Sequence, residues 1–193
     1  MFESFSRSVD ALFDHAIALE SESLILNRIR PEDQKDIWEI FGDEEVTRYT
    51  DFSTRSSYDD AKKVVDYFIR CYEDREQYRF AIRLKARSEM IGTIGIFEID
   101  EDNGLIELGF ELKRKHWNRG YMRESIQSLV QAFFKTMRGH RIEAVVTPGN
   151  SASEKVLEKC GFVKEGTFRK RDLIKGEYLD GIIYGLLEAD LHA

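Results

Sequence analysis

The stretch from Lys113 to Arg123, KRKHWNRGYMR, places five Lys/Arg residues in eleven positions with no acid among them, in a chain of net charge −7. Its position predicts a junction between the end of a strand and the start of a helix. N–H groups at a helix start lack intrahelical acceptors and point outward, which suits an anion. Gly120 lets a ligand approach the backbone with no Cβ in the way. One reading is a pyrophosphate cradle built on residues Asn118, Arg119, Gly120, Tyr121, Met122 and Arg123. The other is a solvated basic loop before an ordinary helix.

Two further sets of residues could do chemistry. Asn150 follows a strand and can cap the next helix, and Ser153 shares that helix end. Both side chains can also bind amide or thiol groups of a ligand lying between adjacent strands. Glu107 and Glu111 are four residues apart on one strand and share a face, while Leu108, Phe110 and Leu112 take the other. Such carboxylates can serve a proton-accepting role or line a polar groove for a cation. The four histidines carry less: His15 and His192 are near the termini, His140 precedes a strand and His116 sits in the basic loop. Cys160, beside a helix end, reads as a buried small residue.

The elements that must position these residues follow from periodicity. Phe2, Phe5, Val9, Leu12, Phe13 and Ala16 predict an amphipathic helical lead-in within residues 1–22. Leu24, Leu26 and Ile29 predict a first strand, and Pro31 with Glu32 and Asp33 starts a helix running to Phe41. Ser57 with Asp60 resembles a capping box for a helix whose stripe is Ala61, Val64, Val65, Phe68, Ile69 and Tyr72. Strands over 80–84, 90–99 and 105–112, with a tight turn at Asp102-Asn103-Gly104, make an antiparallel meander. A helix from Met122 to Met137, a strand over 141–147, a helix near 151–160 and strands near 162–168 and 177–187 follow. Gly161 has the place of a helix C′ glycine and Phe162 that of a return to the core. The expected class is a single α/β domain with a mixed central sheet, an antiparallel meander followed by α/β units, covered by helices on both faces.

The 193 residues are about one domain, long enough to bury a core without metal or disulfide. The two cysteines, Cys71 and Cys160, and the lack of a Cys/His cluster argue against a zinc site. Glu3, Asp10 and Asp14 interrupt the N-terminus, so it does not read as a signal peptide. No apolar run approaches the ~20 residues of a membrane span. A soluble, cytoplasmic protein is the default expectation. The net negative charge disfavours nucleic acid and tolerates cationic partners such as amines. Oligomeric state, a homodimer included, stays open.

Taken together, these residues resemble the GNAT acetyltransferase superfamily, and within it the ribosomal-protein N-terminal acetyltransferase (RimJ/RimL-like) branch. Trp117-Asn118-Arg119-Gly120-Tyr121-Met122 stands at the Q/R-x-x-G-x-G/A motif, with Trp117 and Met122 resembling the branch variant and Glu124 at its acidic position. Leu24–Arg30 resembles the opening strand, Leu105–Leu112 the central strand, and Asn150, Ser153 and Glu158-Lys159-Cys160-Gly161-Phe162 the last helix. Gly176, Tyr178 and Asp180 resemble the closing G-x-[WY]-x-D pattern. The likeness spans residues 23–190 and leaves out residues 1–22.

The resemblance implies acetyl-CoA as cosubstrate, no metal, and transfer of its acetyl group to a primary amine on a protein N-terminus or a small molecule. It implies the pantetheine arm beside the backbone of Glu111 and Leu112, in contact with Asn150. It implies Glu107 as the base, with Glu111 the alternative carboxylate. The tyrosine many relatives use as acid is missing, because seven residues beyond Asn150 stands Leu157. Ser153 is the replacement candidate. A coenzyme-A-binding regulatory module without catalysis is the competing function. A cofactor-free interaction protein would leave the Gly120 loop unexplained.

Overall fold

The computed structural model describes residues 2–15, 17–52, 54 and 57–192. Ala16 and the side chain of Phe2, both part of the expected lead-in stripe, lie outside the described residues. Helix α1 (Phe2–Asp14) is followed by strands β1 (Leu19–Glu20) and β2 (Leu24–Arg28). A 3₁₀ turn (Pro31–Asp33) leads into α2 (Gln34–Phe41), then α3 (Glu44–Thr47) and α4 (Tyr58–Glu73). The meander is β3 (Tyr78–Leu84), β4 (Met90–Asp100) and β5 (Leu105–Leu112). Helix α5 (Tyr121–Ala132), β6 (Arg141–Val146), α6 (Ser151–Lys159), β7 (Val163–Ile174) and β8 (Glu177–Leu187) complete the order.

The strands form one sheet in the order β1-β2-β3-β4-β5-β6-β8-β7. Every neighbouring pair is antiparallel except β5 and β6, which run parallel. This is the mixed, helix-covered α/β sheet expected from the alternation of patterns. Ile37, Ile40 and Phe41 of α2 and Ala61, Val64, Val65 and Phe68 of α4 pack on one face. Leu129 and Val130 of α5 and Leu157 of α6 pack on the other, with Leu24, Ile82, Ile106 and Tyr184 beneath them.

Local signals account for most element ends. The Ser57 hydroxyl accepts the Asp60 N–H at 3.2 Å and starts α4. Asp100 accepts the Asn103 N–H at 3.0 Å, and Gly104 takes a φ of 63° that favours glycine. Gly161 N–H donates to Glu158 and Phe162 N–H to Leu157, the paired bonds of a Schellman end to α6.

Three elements depart from expectation. The helix from Met122 to Met137 changes at Phe133 into a π turn over Phe133–Met137. Phe5 of α1 meets Phe133 edge-on at 5.7 Å there, so the wider turn presents its ring to α1. The lead-in helix packs into the sheet's own core through Phe5, Val9, Leu12 and Phe13, each contributing about 1.5–3 kcal/mol on burial. Strand β7 runs to Ile174 rather than ending near 168, because its outer half pairs with β8 as an exposed hairpin.

Candidate active site

The parallel contact between β5 and β6 is short. It joins Leu105 to Arg141, Ile106 to Ile142 and Glu107 to Glu143, and goes no further. Beyond it β5 continues paired with β4 alone, as far as Leu112 opposite Gly92. Strand β6 continues with β8 alone, as far as Val146 opposite Ile182. The edges of residues 108–112 and 144–146 that face each other are therefore unpaired, and Glu107 stands where they part. Unpaired strand edges are ready partners for an extended ligand carrying amides. At the far end, Trp117 Nε1 donates to the Leu112 carbonyl at 2.7 Å and fixes the chain as it leaves β5.

That chain is the basic loop, and the structure divides its charges. Lys113 is buried and ion-paired with Asp36 and Glu39 of α2. Arg114 pairs with Asp43, and Lys115 with Glu39 and Glu89. Three of the five cations thus pin the loop to the body of the protein. Arg119 and Arg123 are exposed and have no ion-pair partner among the described residues. They flank Gly120, which caps α5 at φ 85°, after Asn118 at φ 59°. Among the described residues the N–H groups of residues 118–120 donate to no backbone carbonyl, and those of the first α5 turn have no acceptor within the helix. A Cβ placed on Gly120 would meet nothing within 4 Å, so the backbone there faces open space. Tyr121 and Met122 turn inward to the core beneath this surface. Glu124 accepts from both Ser21 and Ser23, tying the start of α5 to the turn between β1 and β2. His116 is buried against Tyr121, and burial holds its pKa below the ordinary histidine value, with Glu89 opposing.

Glu107 and Glu111 share a face of β5, as the alternation requires, but their surroundings differ. Glu111 is buried and bonded to the Arg79 guanidinium and to Thr93, whose hydroxyl donates at 2.6 Å. Arg79 reaches it across Gly95 and lies 4.7 Å from the Phe68 ring centre and 4.8 Å from that of Phe97. The Phe97 ring covers Gly109, between the two glutamates, where a Cβ would collide with it. Glu107 lies on the other side of this ring, half-buried, with its Oε2 3.1 Å from Arg171 Nη2 of β7. Burial raises the Glu107 pKa above the ordinary carboxylate value, Arg171 pulls it back, and the nearby Glu98 and Asp172 push it up. A carboxylate so placed gains affinity for protons while remaining close to an opening.

Asn150 caps α6, its Oδ1 accepting the Ser153 N–H at 3.3 Å. Its Nδ2 and the Ser153 hydroxyl donate to no described residue. Leu157 is fully buried. Tyr184 of β8 engages Glu154 of α6 at 2.9 Å through its hydroxyl. On the opposite rim, Thr147 donates to the Tyr49 carbonyl at 3.0 Å and Lys175 to that of Thr47 at 2.8 Å, so residues 43–52 and the β7–β8 hairpin adjoin the fork. Cys71 and Cys160 are separate buried thiols. Among the described residues no group of three or more His, Cys, Asp and Glu could hold a metal, and no helix is long and apolar enough to cross a membrane.

Sequence reasoning singled out neither Arg79 nor Arg171. Arg79 is buried with its neighbours over Tyr78–Ile82, and an arginine beside Tyr78, Phe80 and Ile82 is the one signal the sequence offers for it. Arg171 lies in a run of exposed cations, and nothing in its spacing marks it.

A family model described as an acetyltransferase (GNAT) domain matches residues 23–163. The N-acetyltransferase p20 of Bacillus licheniformis is 33% identical over 172 residues, covering 89% of this chain and 97% of that protein. YoaA of Bacillus subtilis, also described as an N-acetyltransferase, is 32% identical over 170 residues, covering 88% and 96%. A GNAT-family acetyltransferase structure from Bacillus anthracis superposes with a TM-score of 0.79 at 25% identity, covering 90% of this chain and 99% of its own.

Proposed function

This chain belongs to the GNAT acetyltransferase family and is an acetyltransferase, and we propose that it moves the acetyl group of acetyl-CoA to a primary amine at the β5–β6 fork. The observation that carries this reading is the alignment of three features. Unpaired N–H groups at Gly120, open strand edges at 108–112 and 144–146, and a half-buried carboxylate at Glu107 follow one another along the fork. Residues 118–123 fit a pyrophosphate, since they offer N–H donors, the positive end of α5 and two unpaired arginines around an open glycine. The edges at Glu111 and Leu112 fit the amides of a pantetheine arm, with Asn150 Nδ2 available beside them.

Acetyl-CoA supplies the acyl group there as a thioester. The chain's own residues bind and move protons. Glu107 accepts the proton of the attacking amine, directly or through water, which keeps the nucleophile neutral. N–H groups on the open edges are the donors available to a developing oxyanion. The Ser153 hydroxyl supports the departing thiolate. Glu111, held by Arg79 and Thr93, fixes the shape of β5 rather than exchanging protons.

For the acceptor we favour a protein N-terminal α-amine, with a small-molecule amine second. The loop motif supports the ribosomal-protein branch, and solved neighbours include a putative ribosomal-protein-serine acetyltransferase from Vibrio cholerae, similar in fold at a TM-score of 0.79 and 20% identity. Thiol release from acetyl-CoA, followed across N-terminal peptides, polyamines and aminoglycosides, tests the proposal. Release dependent on one of these amines is expected. Acetyl-CoA binding with no release for any amine would favour the non-catalytic regulatory module.

A further inference from the structure

The β7–β8 hairpin is irregular where it passes the fork. Phe168 pairs with Gly181 and Asp172 with Leu179, so residues 169–171 of β7 stand opposite Asp180 alone. Two extra residues are accommodated in β7, a bulge of the sort that re-aims side chains. It is pinned rather than loose. Lys170 adopts φ 52°, its N–H donates to Asp180 Oδ1 at 2.9 Å, and its Nζ donates to the Tyr178 carbonyl at 2.9 Å. A left-handed conformation at a non-glycine residue costs roughly 1–3 kcal/mol and persists only where surrounding bonds impose it.

At the bulge Arg171, though still partly exposed, extends its side chain across β8 toward β5. Its stem lies over Gly181, where a Cβ would stand 3.4 Å from Arg171 Cδ and 2.8 Å from Val145 Cγ1. Glycine at 181 therefore keeps a path clear across β8 and past β6, and the guanidinium ends on Glu107 at the fork. The charged groups acting on that carboxylate are Arg171 on one side and Glu98 and Asp172 on the other. Glu98 is the residue skipped in the β4–β5 register between Phe97 and Ile99, and Asp172 follows Arg171 in β7. Two carboxylates thus crowd Glu107, and one cation answers them.

We propose that Arg171 is a positioning residue for acetyl transfer, delivered by the bulge at 169–171 and the gap at Gly181 to hold Glu107 Oε2 and leave Oε1 facing the fork. This rests on the reading of Glu107 as the base.

The titration of Glu107 does not need the acceptor. In protein labelled with ¹³C at glutamate Cδ, Glu107 is assigned from the resonance lost in Glu107→Gln and is titrated by NMR. In Arg171→Gln its midpoint should move to higher pH by about 1, the lower end of what an opposite charge at this range contributes. Arg171→Lys should fall between wild type and Arg171→Gln. Unchanged resonances of the remaining glutamates report an intact fold, and Gly181→Ala, which obstructs the Arg171 stem, should move the midpoint the same way. A midpoint unchanged in Arg171→Gln and in Gly181→Ala overturns the proposal. If the midpoint moves in these variants but Glu107→Gln keeps the wild-type pH–rate profile, Arg171 still holds Glu107 and it is the reading of Glu107 as base that fails.

Discussion

Glu107→Gln should lower kcat/KM for acetyl transfer by roughly 10²–10⁴-fold, the usual loss when a general base is removed. The substitution keeps the side chain's shape and its place where β5 and β6 part, so acetyl-CoA affinity should stay near that of wild type. The sign of the pH dependence follows from the site. Burial, with Glu98 and Asp172 nearby, raises the Glu107 pKa, and Arg171 only partly restores it. The wild-type rate should therefore fall as pH drops through a value above that of an ordinary glutamate, as the base takes up its proton. In Glu107→Gln that acid limb should disappear. The deficit should also shrink at high pH, where more of the free amine is already neutral. Glu111→Gln is the control. It leaves the buried Arg79 without its counter-charge, which typically costs about 3–5 kcal/mol of stability. It should thus lower the unfolding midpoint in urea and leave the acid limb in place. A loss of the acid limb in Glu111→Gln, with the limb retained in Glu107→Gln, would make Glu111 the base in place of Glu107.

Gly120→Asp should remove measurable acetyl-CoA binding in calorimetry. No protein atom lies within 4 Å of a Cβ at this position, so the effect is not an internal clash. It comes from a carboxylate placed among N–H groups meant for phosphate oxygens, and from side-chain bulk on backbone that the ligand must approach. The charge alone contributes up to about 2 kcal/mol at a helix start, roughly 30-fold in affinity, and the bulk adds to it. Gly120→Asn isolates the charge, since asparagine matches aspartate in size and in tolerance of left-handed backbone but is neutral. It should bind acetyl-CoA between wild type and Gly120→Asp. Equal affinity in wild type and Gly120→Asp would place the pyrophosphate elsewhere.

The two substitutions act at opposite ends of the fork, and the sequence disclosed the two ends unequally. The Gly120 end was legible because its signals are local: a strand period ends, a run of cations follows, and a glycine precedes a helical stripe. The ends of α4 and α6 were legible for the same reason, through Ser57, Gly161 and Phe162. What the loop's cations do was not legible. The run reads as five like cations, but Asp36, Glu39, Asp43 and Glu89 claim Lys113, Arg114 and Lys115, and those partners arrive only when α2 and the β3–β4 turn fold against the loop. Likewise, alternation put Glu107 and Glu111 on one face correctly but could not distinguish them. Their difference lies in Arg79, which is 32 residues from Glu111, and in Arg171, which is 64 from Glu107. The lead-in helix shows the same limit. Its amphipathic stripe was visible, whereas its place in the sheet's own core is set by distant partners, Phe133 against Phe5 and Tyr72 and Tyr78 against Phe13.

The most direct measurement is a crystal structure of the protein with acetyl-CoA. The pyrophosphate should lie on the N–H groups of residues 118–123, the pantetheine arm between residues 108–112 and 144–146, and the thioester carbon beside Glu107. Acetyl-CoA bound away from the β5–β6 fork, or with its thioester remote from Glu107, would contradict the account.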